Sequence, residues 1–211
     1  MGFVCSGRYV LEPASADDAE KYVNLLHDCM EETYSAMADP GFMVRRRAAR
    51  DESIEEFMEE VNGPGVRCFL AYEVPSWTSQ GGLSCAVGAD IEWDAPVGLA
   101  LSSLGPQEWE SEMPVVPVVA GTRDLSQLYT RATTHGTGLG EALLRAVLAD
   151  DEPAYLWYIG GNERAKRFYE KFGFQDEGIF GECGGTWGVP DGEPGQPLQT
   201  ARMFRGDVVL Q

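Results

Sequence analysis

Histidine is nearly absent: there are 2 in 211 residues. A His-rich metal centre and a Ser–His–Asp hydrolase both lack material, and no metal site is expected. The 5 cysteines (Cys5, Cys29, Cys68, Cys85, Cys183) are scattered, odd in number and contain no CxxC pair. They read as reduced thiols rather than a disulfide framework or a zinc site. Basic residues are scarce, with 16 Lys and Arg against 34 Asp and Glu, giving a formal charge of −18. Nucleic acid and anionic membrane would be repelled, whereas a cationic amine would be attracted; a charged surface also serves solubility alone. No run approaches the ~18 apolar residues of a membrane span. The first residues, MGFVCSGRYVLEP, lack the apolar block of a secretory leader, and the location expected is cytoplasmic.

What is present reads as one globular unit over residues 1–211. The composition is 44% hydrophobic and 10% aromatic, enough for a packed core. Residues 8–12 read as a strand ended by Pro13. Ser15 then caps a helix with Asp17 and Asp18 in its first turn and Ala19, Tyr22, Val23, Leu26 and Met30 on one face. Asp39-Pro40-Gly41 reads as a break, and Arg45, Arg46 and Arg47 as solvated charge. Ser53 and Glu56 have capping-box spacing before the periodic Ile54, Phe57, Met58 and Val61, stopped at Asn62-Gly63-Pro64-Gly65. Strands follow at 66–74, 97–102 and 125–131, with a long excursion at 75–96 and an irregular stretch at 105–123. A helix bearing Leu143, Leu144, Val147 and Leu148 comes next. Residues 154–159 are continuously apolar, as in a strand buried on both faces. A helix from about 163 to 172 stops at Gly173, and 198–208 supplies a last strand. The order β-α-α-β-β-β-α-β-α-β predicts a mixed α/β sheet.

The most informative stretch runs from Leu128 to Leu144. A strand enters His135-Gly136-Thr137-Gly138-Leu139-Gly140 and a helix starts at once. Such glycines bring backbone N–H groups close to a ligand, and the helix start adds unpaired donors and a positive dipole end, a combination suited to a diphosphate. The spacing is not that of a Walker loop, since Glu141 and Ala142 follow Gly140, nor is it GxGxxG. A plain tight turn is the alternative.

This stretch resembles motif A of the GNAT superfamily, whose Q/R-x-x-G-x-G/A loop binds the pyrophosphate of acetyl-CoA. His135 stands where Gln or Arg is usual, and Ala132 where Pro is common. The resemblance makes Leu128, Tyr129 and Thr130 the strand whose backbone binds the pantetheine arm. It makes His135, Gly136, Thr137, Gly138, Leu139, Gly140 and Glu141 the phosphate loop and helix start. Downstream, Asn162, Ala165, Phe168, Tyr169, Gly173 and Phe174 are similar to motif B, N-x-x-A-x-x-F-Y-x-x-x-G-F. On the residues alone, Asn162 could simply cap a helix, and the others could form a core face.

The resemblance is strongest over 125–178, with a cofactor-binding core at about 124–178. It implies a GNAT-like fold, a mixed, mostly antiparallel sheet with helices on both faces. It further implies an N-acetyltransferase that uses acetyl-CoA as co-substrate and no metal. Asn162 would contact the cofactor arm, and Tyr169 would protonate the departing thiolate. A primary amine would attack the thioester directly, losing its proton to a carboxylate. Asp124, just upstream of the cofactor strand, is the first candidate for that base, with Glu108, Glu110 and Glu112 behind it. Strand alternation places Asp124, Ser126, Leu128 and Thr130 on one face. A small-molecule amine is the expected acceptor. Protein N-termini or lysines, a non-catalytic acyl-CoA-binding module and a nucleotide-binding domain are the alternatives. A homodimer is compatible with the family.

Overall fold

In the computed structural model, which describes residues 4–6, 8–74 and 91–208, eight strands form one sheet in the order β1-β2-β3-β4-β5-β6-β8-β7. The strands are β1 (Val4–Ser6), β2 (Tyr9–Pro13), β3 (Arg67–Glu73), β4 (Gly98–Gly105), β5 (Thr122–Thr130), β6 (Ala154–Ile159), β7 (Gln175–Glu182) and β8 (Gln199–Arg205). Every neighbouring pair is antiparallel except β5 and β6. The expected mixed, mostly antiparallel sheet is therefore present. Residues 75–90 of the expected excursion lie outside the described residues.

Helices α1 (Ala19–Tyr34), α2 (Phe42–Ala48) and α3 (Arg50–Val61) cover one face; α4 (Leu139–Val147) and α5 (Glu163–Glu170) cover the other. The apolar stripe of α1 packs as its spacing requires, with Tyr22 stacked on Phe57 of α3 at 4.1 Å. On the second face, Leu139, Leu143, Leu144 and Val147 of α4 bury against Ala71, Ala100, Leu125 and Leu156.

Strand β1 precedes the first strand expected, and three further elements differ from expectation. Helix α3 starts at Arg50, not at a Ser53 cap: Ser53 is buried inside the helix and its N–H donates to Ala49 at 2.9 Å. The arginine cluster forms α2, where Arg45 pairs with Asp39 at 2.6 Å and Arg46 is buried against the Trp187 ring. Only Arg47 is exposed as expected of all three, and it pairs with Asp28 and Glu31. Strand β7 was not anticipated. Its sequence QDEGIFGE lacks alternation because register shifts at Asp176/Gly178 and Ile179/Gly181 interrupt it.

One irregularity sets which way the β5 side chains point. Along the β4–β5 pair, Leu101 faces Gln127 and Ser103 faces Asp124, so two steps on β4 oppose three on β5. This extra residue is a β-bulge, and it reverses the alternation of β5. Asp124 and Ser126 point toward the α3 side, where Glu60 acts on both. Beyond the bulge, Gln127 and Tyr129 take that side, accepting from Tyr22 at 3.1 Å and meeting Tyr34 at 3.2 Å. Leu128 and Thr130 turn to the α4 side. The expectation that Asp124, Ser126, Leu128 and Thr130 share a face is thus incorrect: the bulge divides them.

Candidate active site

Strands β5 and β6 are paired only at Arg123↔Ala154 and Asp124↔Tyr155, and then diverge. Arg131 donates its N–H to Val97 across β4. The alternation of an antiparallel ladder then commits the backbone groups of Tyr129 and Gln127 to β4 and turns those of Leu128 and Thr130 toward the gap. A half-sheet of unpaired donors and acceptors is stable only where solvent or a ligand occupies the opening. The opening is a cleft of about 480 Å³. Leu128, Tyr129 and Thr130 form one wall; Trp157, Tyr158 and α5 form the other.

The glycine turn sits at the cleft mouth. Gly136 and Gly138 adopt φ of +77° and +90°, and a Cβ on either would meet nothing within 4 Å, so the backbone is bare toward the cleft. Helix α4 begins directly behind, at Leu139, and its first N–H groups have no intrahelical acceptor. His135, Gly136, Gly138, Gly140 and Glu141 all line the opening, whereas Thr137 and Leu139 do not. Thr137 hydrogen-bonds Tyr9 at 2.8 Å, and the Leu139 side chain is fully buried in the core. Gly140 has a packing duty: a Cβ there would press on Phe168 of α5 at 3.3 Å. The Glu141 carboxylate is turned to Arg145 at 3.0 Å, which leaves its backbone N–H as the group facing a ligand. The exposed His135 ring lies against Arg164, whose Nη1 is 2.5 Å from Nδ1 and 2.7 Å from Nε2. Burial and that guanidinium hold the imidazole below its ordinary range.

Four tyrosines line the cleft, and their hydroxyls differ. Tyr34 and Tyr129 bond each other, and Tyr158 donates to Asp176 at 3.0 Å. The Tyr169 hydroxyl has no hydrogen-bond partner among the described residues, although its ring is buried against Phe168 and Phe174. Burial, with Tyr34 adding to it, pushes its phenol up, so it stays protonated through the neutral range. Asn162 caps α5: its Oδ1 accepts from the Ala165 N–H at 3.1 Å. Its side chain also reaches Tyr34.

Asp124 does not line the cleft; it lies one layer behind, with Ser126 between. It is 4% exposed and accepts from Ser126 Oγ at 3.1 Å and Gln107 Nε2 at 3.2 Å. Glu110, also buried, accepts from Tyr155 at 2.6 Å and from the Gln107 N–H at 2.8 Å. Burial first, and repulsion from Glu110 second, push Asp124 up to about 7, despite the opposing hydrogen bonds. Gly105 makes room for this pocket, since a Cβ there would overlap the Tyr155 hydroxyl. Glu108 is exposed on the short 3-10 turn at 108–112, and the side chain of Glu112 lies outside the described residues.

Tyr34, Ser126, Gln127, Trp157 and Arg164 line the cleft without having been anticipated. Arg164 alone carried a local signal, being one residue before the Ala165 of the matched pattern. Tyr34 comes from α1, about a hundred residues away in the chain, and nothing local marks it.

Residues 94–176 match the model of the acetyltransferase (GNAT) domain. Solved structures share the fold. The N-acetyltransferase PaiA of Thermoplasma acidophilum, in complex with coenzyme A, has a TM-score of 0.56 at 14% identity, over 93% of this chain and 98% of that one. An acetyltransferase of Thermus thermophilus gives 0.51 at 21%, over 95% and 98%. A spermidine N-acetyltransferase SpeG chimera from Vibrio cholerae and hSSAT gives 0.51 at 16%, over 94% and 95%. No curated protein matches the sequence. Acetyl-CoA is the co-substrate that GNAT acetyltransferases use. The bare glycine turn, the open β5 backbone and the gap between β5 and β6 fit its diphosphate and its extended, amide-bearing arm. No described helix is long and apolar enough to cross a membrane.

Proposed function

We propose that residues 1–211 act as one N-acetyltransferase unit that moves the acetyl group of acetyl-CoA to a primary amine. The observation that carries this reading is the splay of β5 from β6, which opens unpaired β5 backbone onto a cleft with a glycine turn at its mouth. Leu128 and Thr130 would bind the pantetheine arm through their backbone, and the N–H groups from Gly136 to Glu141 would hold the diphosphate. An N–H of the β5 wall would receive the oxyanion.

The amine nitrogen attacks the thioester carbonyl and forms the C–N bond; the C–S bond then breaks. Asp124 accepts the proton the amine must lose, reached from the cleft through the Ser126 hydroxyl. A carboxylate held near 7 is well matched to that task at neutral pH. Tyr169, with its hydroxyl unengaged, gives its proton to the departing thiolate. The surplus of 34 acids over 16 bases supports a cationic amine as acceptor over an anionic one.

Incubating acetyl-CoA with a panel of free amines and lysine-bearing peptides tests this. Thiol release coupled to an N-acetylated product from free amines is expected. Turnover confined to peptides would shift the reading to protein acetylation. Tight acetyl-CoA binding with no product from any acceptor would leave a binding module and reject the enzyme.

A further inference from the structure

Positive charge is scarce in this chain, and where it stands unpaired is therefore informative. Among the described residues, every Lys and Arg except Arg46, Arg164, Arg167, Lys171 and Arg205 pairs with a carboxylate. Arg46 is buried beside Trp187 and Thr186. Arg205 is spent on the carbonyls of Ala149, Glu152 and Phe172. The remaining three, Arg164, Arg167 and Lys171, are exposed, and all three line the same cleft. They stand at i, i+3 and i+7, one stripe along α5 and its C-cap, Lys171.

In a protein with this excess of carboxylates, three neighbouring cations left without acid partners are held for an anion from outside. Resting on acetyl-CoA as the donor, we infer that this α5 stripe binds the donor's phosphates. Arg164 faces the diphosphate across the glycine turn, and Arg167 with Lys171 takes the ribose 3′-phosphate. Arg164 supplies the charge that His135 does not, because the imidazole lies against the guanidinium and is held neutral. His135 is thereby a positioning residue for Arg164. A guanidinium can grip two phosphate oxygens at once, so Arg164 suits the bridging diphosphate and the more mobile Lys171 the terminal group.

Calorimetry with coenzyme A, 3′-dephospho-coenzyme A and S-acetylpantetheine on the full chain tests the assignment. Arg164→Gln is expected to weaken coenzyme A and its dephospho form alike, by about tenfold, and to leave S-acetylpantetheine within twofold. The double variant Arg167→Gln/Lys171→Gln should weaken coenzyme A by about tenfold and leave the dephospho form unchanged, which removes the wild-type preference for the 3′-phosphate. Equal weakening of all three ligands would mean a distorted cleft and would overturn the inference. So would variants that bind all three like wild type. Wild type that binds none of them would instead reject acetyl-CoA as donor, and the inference with it.

Discussion

Asp124→Asn is expected to lower turnover by about a hundredfold or more while making the protein more stable at pH 8. The two effects have one cause. Asp124 sits in a pocket that disfavours its charge, and the proposed proton transfer at pH 7 needs that charge. An ordinary aspartate titrates near 3.8, and this one near 7. Because the folded state holds the proton more tightly, stability is fully present below the unfolded value and falls as pH rises through about 7. Asparagine keeps the size and can still accept from Ser126 and Gln107 without becoming charged. The gain at pH 8 is on the order of 2–4 kcal/mol and should shrink by more than half at pH 5. Urea unfolding at both pH values measures it. The pH profile gives an independent reading: the wild-type rate should climb through about pH 7, and the residual rate of the variant should lack that limb. A variant less stable than wild type at pH 8 would mean that Asp124 is a structural anchor, and the base would have to be sought elsewhere.

Tyr169→Phe should cost about a hundredfold in kcat, with the Kd for acetyl-CoA within about threefold of wild type. The substitution removes a hydroxyl that bonds to no described residue and keeps the ring buried against Phe168 and Phe174. No hydrogen bond is broken, so stability should change by less than about 1 kcal/mol. Tyr34→Phe is the informative control, because its hydroxyl is committed to Tyr129 at 3.2 Å. Turnover by Tyr169→Phe at the wild-type rate would remove the phenol from the mechanism and leave the thiolate to be protonated by water.

The proposed donor half of the site was legible as a pattern because it is local. A glycine turn, the helix start behind it and the i, i+3, i+4 face of α5 are contiguous in the chain, and each has a composition that backbone geometry demands. The packing of Leu143, Leu144 and Val147 followed from periodicity; α5 ends at Glu170, two residues before the expected end, and Gly173 beyond it takes a left-handed φ of +82°. The acceptor half was not legible. Asp124 could be named from its place before the cofactor strand. Its isolation behind Ser126 depends on a bulge, which is a relation between β5 and β4 and has no signature in β5 alone. Gln107 and Glu110 reach the pocket from an irregular turn, and Tyr34 from α1. Their convergence is a property of the folded chain. Asn162 shows the opposite difficulty: one side chain satisfies both a helix cap and the family pattern, and the cap is the role its 3.1 Å hydrogen bond from Ala165 serves.

The central claim is that the glycine turn and the splayed strands form an acetyl-CoA site. It is tested most directly by calorimetric titration of acetyl-CoA into wild type and Gly138→Asp. At φ of +90° an aspartate strains the turn and brings a negative charge to the expected diphosphate position. The account predicts micromolar binding to wild type and its loss in the variant, with the circular dichroism spectrum preserved. Absence of binding to the wild-type chain, or unchanged binding to the variant, would contradict it.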